Sequence, residues 1–225
     1  MYKIILMKKV IVLIGCYLLL TSANIHAQRS TPLFNGKNLD GWYVFLNNKV
    51  GSQDPDSAFT IHDNMLHITG RSVGYICTKK SYKNFHLTLE FKWGEKKYPP
   101  RLTDKRDSGI LYYFLSGSPD KIWPRSYECQ IQEGDCGDFW LADSLSVKVK
   151  DKIMTQGRII KLSDNEKPNG QWNKVEIIAV NGKCTHIING VVVNEGTDAN
   201  VREGKIALQT EAAEMFYRNI RLEVL

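Results

Sequence analysis

The stretch "WNKVEIIAVNGKCTHIINGVVVNEG", residues 172–196, decides the fold class because it holds three short apolar runs separated by two Asn-Gly pairs. Asn181-Gly182 and Asn189-Gly190 both supply residues that accept the positive φ angles of a type I′ turn. An Asn-Gly pair between alternating apolar residues is a strong hairpin signal. The stretch is therefore predicted to form a three-stranded antiparallel meander.

Strand patterns continue on both sides of this meander. "FHLTLEFKW" (85–93) alternates clearly, "SGILYYFL" (108–115) is typical of a buried strand, and "GKIALQT" (204–210) and "EMFYRNIRLEVL" (214–225) add two strands at the end of the chain. No segment shows helical periodicity with capping residues. Many short strands with regularly spaced turns predict an all-β sandwich or jelly roll.

Two segments lack a regular pattern, the charged loop 95–106 and the long stretch 134–167. Loops of this length in a compact β domain often carry function or are disordered. We find no internal repeat and no sign of a second domain. We therefore expect one domain over residues 28–225.

The first 27 residues have the pattern of a secretory signal peptide. Lys3, Lys8 and Lys9 precede an apolar run over 10–20, and "TSANIHAQ" then offers a cleavage site after Ala27. The apolar run is too short for a membrane anchor to be expected. We predict a periplasmic or secreted protein, with a lipid anchor on Cys16 in "LIGC" as the alternative.

The net charge of the chain after Ala27 argues against nucleic-acid binding. The whole chain has a formal net charge of +6, and with 27 basic and 24 acidic residues left after Ala27 it would be +3. The basic residues are scattered, so no electrostatic footprint for nucleic acid is present. We expect neither a nucleic-acid partner nor a membrane partner after cleavage, and the sequence does not define the oligomeric state.

Four cysteines remain after the leader, and their spacing fits no zinc pattern: Cys77, Cys129, Cys136 and Cys184. Export permits disulfides. We expect Cys129 and Cys184 to be buried free thiols in strands, and a Cys129–Cys136 bridge stays open as the alternative.

"SYECQIQEGD", residues 126–135, places a carboxylate and amides on one side of a predicted strand. Strand alternation puts Tyr127, Cys129 and Ile131 on the opposite side from the polar set, which is Glu128, Gln130 and Gln132. These polar groups are suited to bind sugar hydroxyls in a groove, and the alternative is a solvated sheet face. We expect the groove, with Glu128 as a base or a metal ligand and Gln130 and Gln132 as substrate-binding residues.

A set of motifs in a fixed order resembles one known family. They are "LFNGKNLDGW" (33–42), "KNFHLTLEFKW" (83–93), "DSGILYY" (107–113), "YECQIQEGDCGDFW" (127–140), "GQWNKVEI" (170–177), "INGVVVNE" (188–195) and "IALQTEAAEMFYRNIRL" (206–222). In this order the motifs are similar to those of the 3-keto-disaccharide hydrolases, also described as 3-keto-glucoside 1,2-lyases and 3-keto-2-hydroxy-glucal hydratases. The resemblance covers about residues 31–225.

The resemblance implies a concanavalin A-like jelly roll of two antiparallel sheets, one of them concave, and activity on sugars already oxidised at C3. A C3 ketone acidifies the hydrogen on C2, a base removes it, and the enolate expels the group on C1. Water can then add to the double bond. Such a site needs a base near C2, an electrophile at the C3 oxygen and an acid for the leaving group.

Three positions depart from the family pattern and bear on the site. Asp107 stands where the family usually has Asn, Glu211 where many relatives have His, and Tyr113 where many have Arg or His. We expect Asp107 and Glu211 to join Glu128 as catalytic groups, with a rim position for Glu211 as the alternative. Tyr113 is expected to share a face with Asp107 and to bind substrate, and simple packing is the alternative.

Further substrate-binding candidates are one amide and two aromatic residues. Gln209 shares a face with Glu211. Trp123 and Trp140 are expected in loops, where an indole face can stack on the apolar face of a sugar.

"EGDCGDFW" brings three carboxylates, those of Glu133, Asp135 and Asp138, into a Gly-broken turn. Such a turn can hold Ca²⁺, although the spacing does not match an EF-hand loop. A solvated turn without metal is the favoured interpretation, and a bound Ca²⁺ is the alternative.

The residues leave two classes of function open. Acids converging in a groove favour an enzyme that cleaves 3-keto-glycosides, whereas a groove of aromatics and amides alone favours a non-catalytic carbohydrate-binding module. Ordinary glycoside hydrolysis also stays open, because two carboxylates about 5–10 Å apart would meet its requirement. The sequence does not define the sugar or the linkage.

Overall fold

The computed structural model describes residues 30–51, 54–115 and 120–225. The predicted leader and Cys16 lie outside the described residues. The described part contains one helical turn and many strands. In chain order these are β1 (Thr31–Pro32), β2 (Trp42–Gly51), α1 (Pro55–Ala58), β3 (Phe59–His62), β4 (Met65–Ile68), β5 (Ser72–Thr78), β6 (Phe85–Lys97), β7 (Gly109–Phe114), β8 (Tyr127–Gln130), β9 (Phe139–Leu141), β10 (Val147–Val149), β11 (Lys152–Met154), β12 (Gly157–Ile159), β13 (Asn173–Val180), β14 (Lys183–Ile188), β15 (Val191–Gly196), β16 (Lys205–Glu211) and β17 (Ala213–Val224).

The predicted meander is confirmed as β13, β14 and β15, which pair antiparallel in sequence order. Asn181 and Gly182 have φ angles of 50° and 85°, and Asn189 and Gly190 have 49° and 83°. These values are the positive φ pair that a type I′ turn needs. The two turns therefore form as the sequence predicts.

The strands form two large antiparallel sheets and a small hairpin. The eight-stranded sheet has the order β15-β14-β13-β6-β17-β4-β3, with β1 paired to β17. The seven-stranded sheet has the order β12-β9-β8-β7-β16-β5-β2, and β10 pairs with β11. The predicted all-β sandwich of two antiparallel sheets is confirmed.

The main core lies between the two sheets. Phe85 of β6 in the eight-stranded sheet contacts Tyr112 and Tyr113 of β7 in the seven-stranded sheet, with ring centroids 6.3 and 5.7 Å apart. The Tyr112 hydroxyl is 3.1 Å from Nε2 of the buried His186, whose Nδ1 donates to the Gly137 carbonyl at 3.0 Å. Burial of each large side chain stabilises the fold by about 2–3 kcal/mol.

The four described cysteines are all free and buried. The buried free thiols expected for Cys129 and Cys184 are confirmed, and the alternative of a Cys129–Cys136 bridge is not formed. Burial raises the pKa of the Cys184 thiol to about 12, so it stays protonated.

The single helix of the described residues, α1, is four residues long. None of the described helices therefore has the length and apolar character needed to cross a membrane.

Candidate active site

Residues of β8 alternate as the sequence predicts. Tyr127 and Cys129 are fully buried in the core between the sheets, and Ile131 follows them there. Glu128 and Gln130 point to the other face of the seven-stranded sheet and line a pocket of about 330 Å³. The polar side of this strand is therefore a pocket wall rather than a flat solvated surface.

The pocket gathers side chains from several neighbouring segments. Its lining consists of Asp107, Trp123, Glu128, Gln130, Trp140, Leu141, Ala142 and Glu211. β8 lies between β7 and β9, with Glu128 opposite Leu111 and Trp140. Asp107 and Glu211 face each other as a bridge pair just before β7 and at the end of β16. The strand pairing thus brings three carboxyl groups that are distant in sequence into one pocket.

Arg101 contacts two of these three carboxyl groups. Its Nη1 lies 2.9 Å from Asp107 Oδ2 and also donates to Glu211 Oε1. Asp107 Oδ2 accepts a second bond from Gln132 Nε2 at 2.6 Å. Within the described part of the chain, Glu128 has neither a hydrogen bond nor an ion pair. The single guanidinium therefore leaves Glu128 as the uncompensated carboxyl group.

Burial and mutual repulsion raise the pKa values of the trio. Burial, followed by the charges of Asp107 and Glu211, raises the pKa of Glu128 well above its ordinary value. Burial and Asp107 raise the pKa of Glu211 to about 8, although Arg101 opposes the rise. Burial also raises the pKa of Asp107, against Arg101 and Gln132. A carboxyl group with a pKa of about 8, as at Glu211, can exchange protons near neutral pH.

Gly109 makes room for two polar side chains. A Cβ atom at this position would lie 2.1 Å from Glu128 Oε1 and 2.3 Å from Gln209 Oε1. Both oxygens therefore lie over the bare Gly109 backbone. Gln209 is only 2% exposed, and its Oε1 has no hydrogen-bond partner among the described residues. This amide oxygen and Glu128 Oε1 therefore both lie beside Gly109.

The two predicted tryptophans lie at the pocket and are exposed. Trp123 is 53% exposed and Trp140 is 38% exposed. Trp123 lies in a loop as expected, but Trp140 belongs to β9 rather than to a loop. Its position opposite Glu128 puts the indole at the pocket wall.

Tyr113 does not reach the pocket, and its expected substrate-binding position is wrong. The side chain is fully buried in the main core, and its hydroxyl donates to the Lys83 carbonyl at 2.6 Å. Tyr113 has a φ angle of 52°, and the pairing of β7 with β16 shifts register between Lys205 and Ala207. This bulge breaks the alternation that begins at Gly109, so Tyr112 and Tyr113 both enter the core.

Gln132 and Gln209 are close to the pocket but support it rather than line it. Gln132 donates to Asp107, and Gln209 lies beside Glu128 under the pocket surface. Gln130 lines the pocket directly, and its Oε1 accepts from the Ile131 backbone N–H at 3.0 Å.

The three carboxylates proposed for a metal each have cationic partners. Glu133 pairs with Arg106 at 3.4 Å, Asp135 pairs with Lys105 at 3.0 Å, and both Asp135 and Asp138 pair with Arg158. Among the described residues, no group of three or more His, Cys, Asp or Glu side chains has an arrangement that could hold a metal ion. The turn is therefore held by ion pairs.

Arg101 is the site residue that sequence reasoning missed. It lies in the irregular loop 95–106, after the cis Pro99–Pro100 bond. A lone arginine in a charged loop carries no local signal of its partners. Only the folded loop shows that Arg101 joins Asp107 to Glu211.

An antiparallel sandwich with an acidic, tryptophan-lined pocket on one sheet defines a β-sandwich protein with a site for a small polar ligand. The model of the 3-keto-alpha-glucoside-1,2-lyase-like domain family matches residues 29–223, so the chain belongs to that family. The resemblance identified from the motifs is thereby confirmed. The family membership supports a carbohydrate-active function.

Solved structures share the fold at low sequence identity. Two are from Parabacteroides distasonis and are provisionally assigned as glycosyl hydrolases. One has a TM-score of 0.61 with 19% identity over 87% of this chain and 94% of the other, and the second has 0.62 with 22% identity over 88% and 100%. A carbohydrate-binding module from Bacillus subtilis has a TM-score of 0.55 with 11% identity over 81% and 95%. A search of curated proteins gave no significant match.

Replacing Glu211 by Gln should change how stability depends on pH. A carboxyl group whose pKa rises to about 8 on folding stabilises the fold below its ordinary pKa, and this stability is lost as pH rises toward 8. Glu211→Gln should therefore gain stability relative to the parent between pH 5 and pH 9. A pKa difference of one between folded and unfolded states corresponds to about 1.4 kcal/mol. Urea unfolding of both proteins at pH 5 and at pH 9 measures the gain. A difference in the free energy of unfolding that is the same at the two pH values would contradict the prediction.

Proposed function

We propose that this chain cleaves 3-keto-glycosides by elimination, with Glu128 as the base that removes the C2 proton. The observation that carries the proposal is that only two of the three carboxyl groups in the pocket have a cationic partner in the described part of the chain. Arg101 binds Asp107 and Glu211, while Glu128 remains without a cation beside the pocket space. A base must be ionised and within reach of the substrate. No cation among the described residues pairs with Glu128, and its raised pKa makes its ionised form a stronger proton acceptor.

The raised pKa values suit the two proton transfers of an elimination. Glu128 accepts the proton from C2, the electron pair forms the C1–C2 double bond, and the C1–O bond breaks. The departing oxygen then needs a proton. Glu211, with a pKa of about 8, holds a proton at neutral pH and is the acid that we assign to this step. Addition of water across the double bond would complete a net hydrolysis.

Binding of the sugar is assigned to the neutral groups of the pocket. Gln130 lines the pocket with an amide that can bind a hydroxyl or the C3 oxygen. The exposed faces of Trp123 and Trp140 can stack on the apolar face of a pyranose ring. Gln132 acts through Asp107, which it holds in place.

The decisive experiment compares matched glycosides with and without the C3 ketone. The purified chain should release the leaving group from 3-keto-glucosides and leave the unoxidised glucosides intact, because only the ketone acidifies C2. Product analysis by mass spectrometry and NMR separates the unsaturated keto sugar from its hydrated form. Equal turnover of oxidised and unoxidised glycosides would instead indicate ordinary glycoside hydrolysis.

A carbohydrate-binding module is the second candidate function, and the exposure of Trp123 and Trp140 favours it. A module of this kind would bind unmodified glycans by calorimetry and turn over no 3-keto-glycoside. Three carboxyl groups in a pocket are costly for a protein that only binds neutral sugars, so we place the enzyme first.

A further inference from the structure

A second pocket lies next to the acidic pocket and shares one wall with it. It has a volume of about 520 Å³, and its lining consists of Phe45, Asn47, Lys121, Ile122, Trp123 and Asp143. Trp123 is the residue common to both pockets. The two spaces are therefore neighbours that meet at Trp123.

Strand register places both pockets on the same face of the seven-stranded sheet. Gln209 of β16 is opposite Tyr75 of β5, and Tyr75 is opposite Phe45 of β2. Residues directly opposite in a sheet share a face. Trp42 and Val44, which alternate with Phe45, pack on the core side instead. A strip of side chains thus runs from the base of the acidic pocket to Phe45.

This strip is apolar between the pockets. Tyr75, Leu111, Phe114 and Ala207 are buried there in a cluster of their own, with Phe45 packed against it. The Phe45 and Tyr75 rings are 5.1 Å apart. The floor of the second pocket is consequently a supported aromatic surface.

The segment that carries Trp123 is tied to the sheet on both sides of the pocket. Asp120 Oδ1 accepts from the hydroxyls of Tyr75 at 2.7 Å and Tyr43 at 3.3 Å. Lys121 pairs with Asp143 at the rim. These contacts fix where Trp123 stands between the two pockets.

We propose that the second pocket binds a ring of the leaving group while the acidic pocket holds the 3-keto sugar. This inference rests on the proposed function, because it assigns the two sides of the scissile bond to the two spaces. The lining of the second pocket includes none of Asp107, Glu128 and Glu211, the three groups that belong to the acidic pocket.

The chemistry of the walls defines what the second pocket takes. Phe45, Ile122 and Trp123 offer apolar surfaces to a flat ring, and the Lys121–Asp143 pair offers polar partners at the rim. The ligand is a ring with an apolar face and peripheral hydroxyl groups. A second pyranose and a hydroxylated aryl group both have this chemistry.

The test compares leaving groups in the parent and in Phe45→Leu, which keeps apolar bulk but removes the ring. The substrates are methyl, phenyl and glucosyl 3-keto-glucosides in both anomers. In Phe45→Leu, kcat/KM for the ring-bearing substrates relative to the methyl glycoside should fall roughly fivefold, the scale of one aromatic contact. A larger loss with phenyl than with glucosyl identifies an aryl group as the ligand, and the reverse identifies a sugar.

Phe216→Leu is the matched control, because Phe216 lies on the outer face of the eight-stranded sheet and stacks on His67. Phe216→Leu should leave unchanged the kcat/KM of the ring-bearing substrates relative to that of the methyl glycoside. An unchanged ratio in Phe45→Leu, with both variants folded by circular dichroism, would overturn the second pocket as a leaving-group site.

Binding measurements keep this inference separate from the proposed reaction. If no 3-keto-glucoside is turned over, calorimetry with unoxidised phenyl glucoside, diglucoside and methyl glucoside still tests the pocket. The parent should bind the ring-bearing ligands more tightly than methyl glucoside, and Phe45→Leu should lose that preference. Equal affinities in the parent would overturn the inference, whereas a lost preference without turnover would overturn only the reaction.

Discussion

Glu128→Gln should lower turnover of a 3-keto-glycoside by roughly 10²-fold or more, the usual scale for losing a general base. The amide keeps the shape and the hydrogen-bonding reach of the carboxyl group but cannot accept the C2 proton. Glu128 is the carboxyl group of the pocket that has no cationic partner within the described ranges. The change therefore leaves no described arginine or lysine unpaired. Steady-state kinetics should place the loss in kcat, with KM changed much less.

The control for this variant is Glu203→Gln, which makes the same change at an exposed position. It should retain parental kinetics. In the parent, kcat/KM should rise with pH above the ordinary carboxyl range, because the pKa of Glu128 is raised and only the ionised form acts as a base. A Glu128→Gln protein with parental turnover would show that another group removes the proton.

Gly109→Ala should give a folded protein that has lost on the order of 10²-fold in activity. The new Cβ would lie 2.1 Å from Glu128 Oε1 and 2.3 Å from Gln209 Oε1. Both atoms end flexible side chains, so they can move aside without breaking the sheet. A displacement of about 1 Å at a reacting group can cost about 10²-fold in rate. Kinetics and thermal unfolding of the variant measure the two effects separately.

Gly94→Ala is the matched control for Gly109→Ala. Gly94 also lies in a strand, and its Cβ would meet a carboxylate oxygen of Glu214 at 2.4 Å. Glu214 binds His67 and two backbone N–H groups away from the pocket. Gly94→Ala should therefore disturb stability similarly and leave turnover near the parental value. If both variants lose activity equally, the loss reflects general destabilisation instead of displaced pocket groups.

Local patterns predicted the elements and the faces of the straight strands. The Asn-Gly turns fix the meander, and alternation over 127–131 separates core from pocket. Both signals depend on residues adjacent in sequence, and the pairing of β8 with its two neighbours has no register shift. The positions of Glu128 and Gln130 at the pocket follow from the same alternation.

The sequence failed where tertiary contacts override alternation or fold a loop. Tyr113 leaves its expected face because β7 bulges against β16, and nothing in "DSGILYY" marks that bulge. Arg101 reaches Asp107 through a loop whose path depends on the completed sandwich. In sequence, Glu133 and Asp135 resemble oxygen ligands for a metal. In the structure they form ion pairs with Arg106 and Lys105, which lie in the same loop as Arg101.

The sharing of one guanidinium by Asp107 and Glu211 makes the pocket a single polyprotic acid. A proton that leaves Glu211 strengthens its pairing with Arg101 and raises the proton affinity of Asp107 and Glu128. The apparent ionisation constants of the pocket are therefore macroscopic and belong to the group as a whole. A substrate that displaces water or engages Arg101 will redistribute protons among all three carboxyl groups at once.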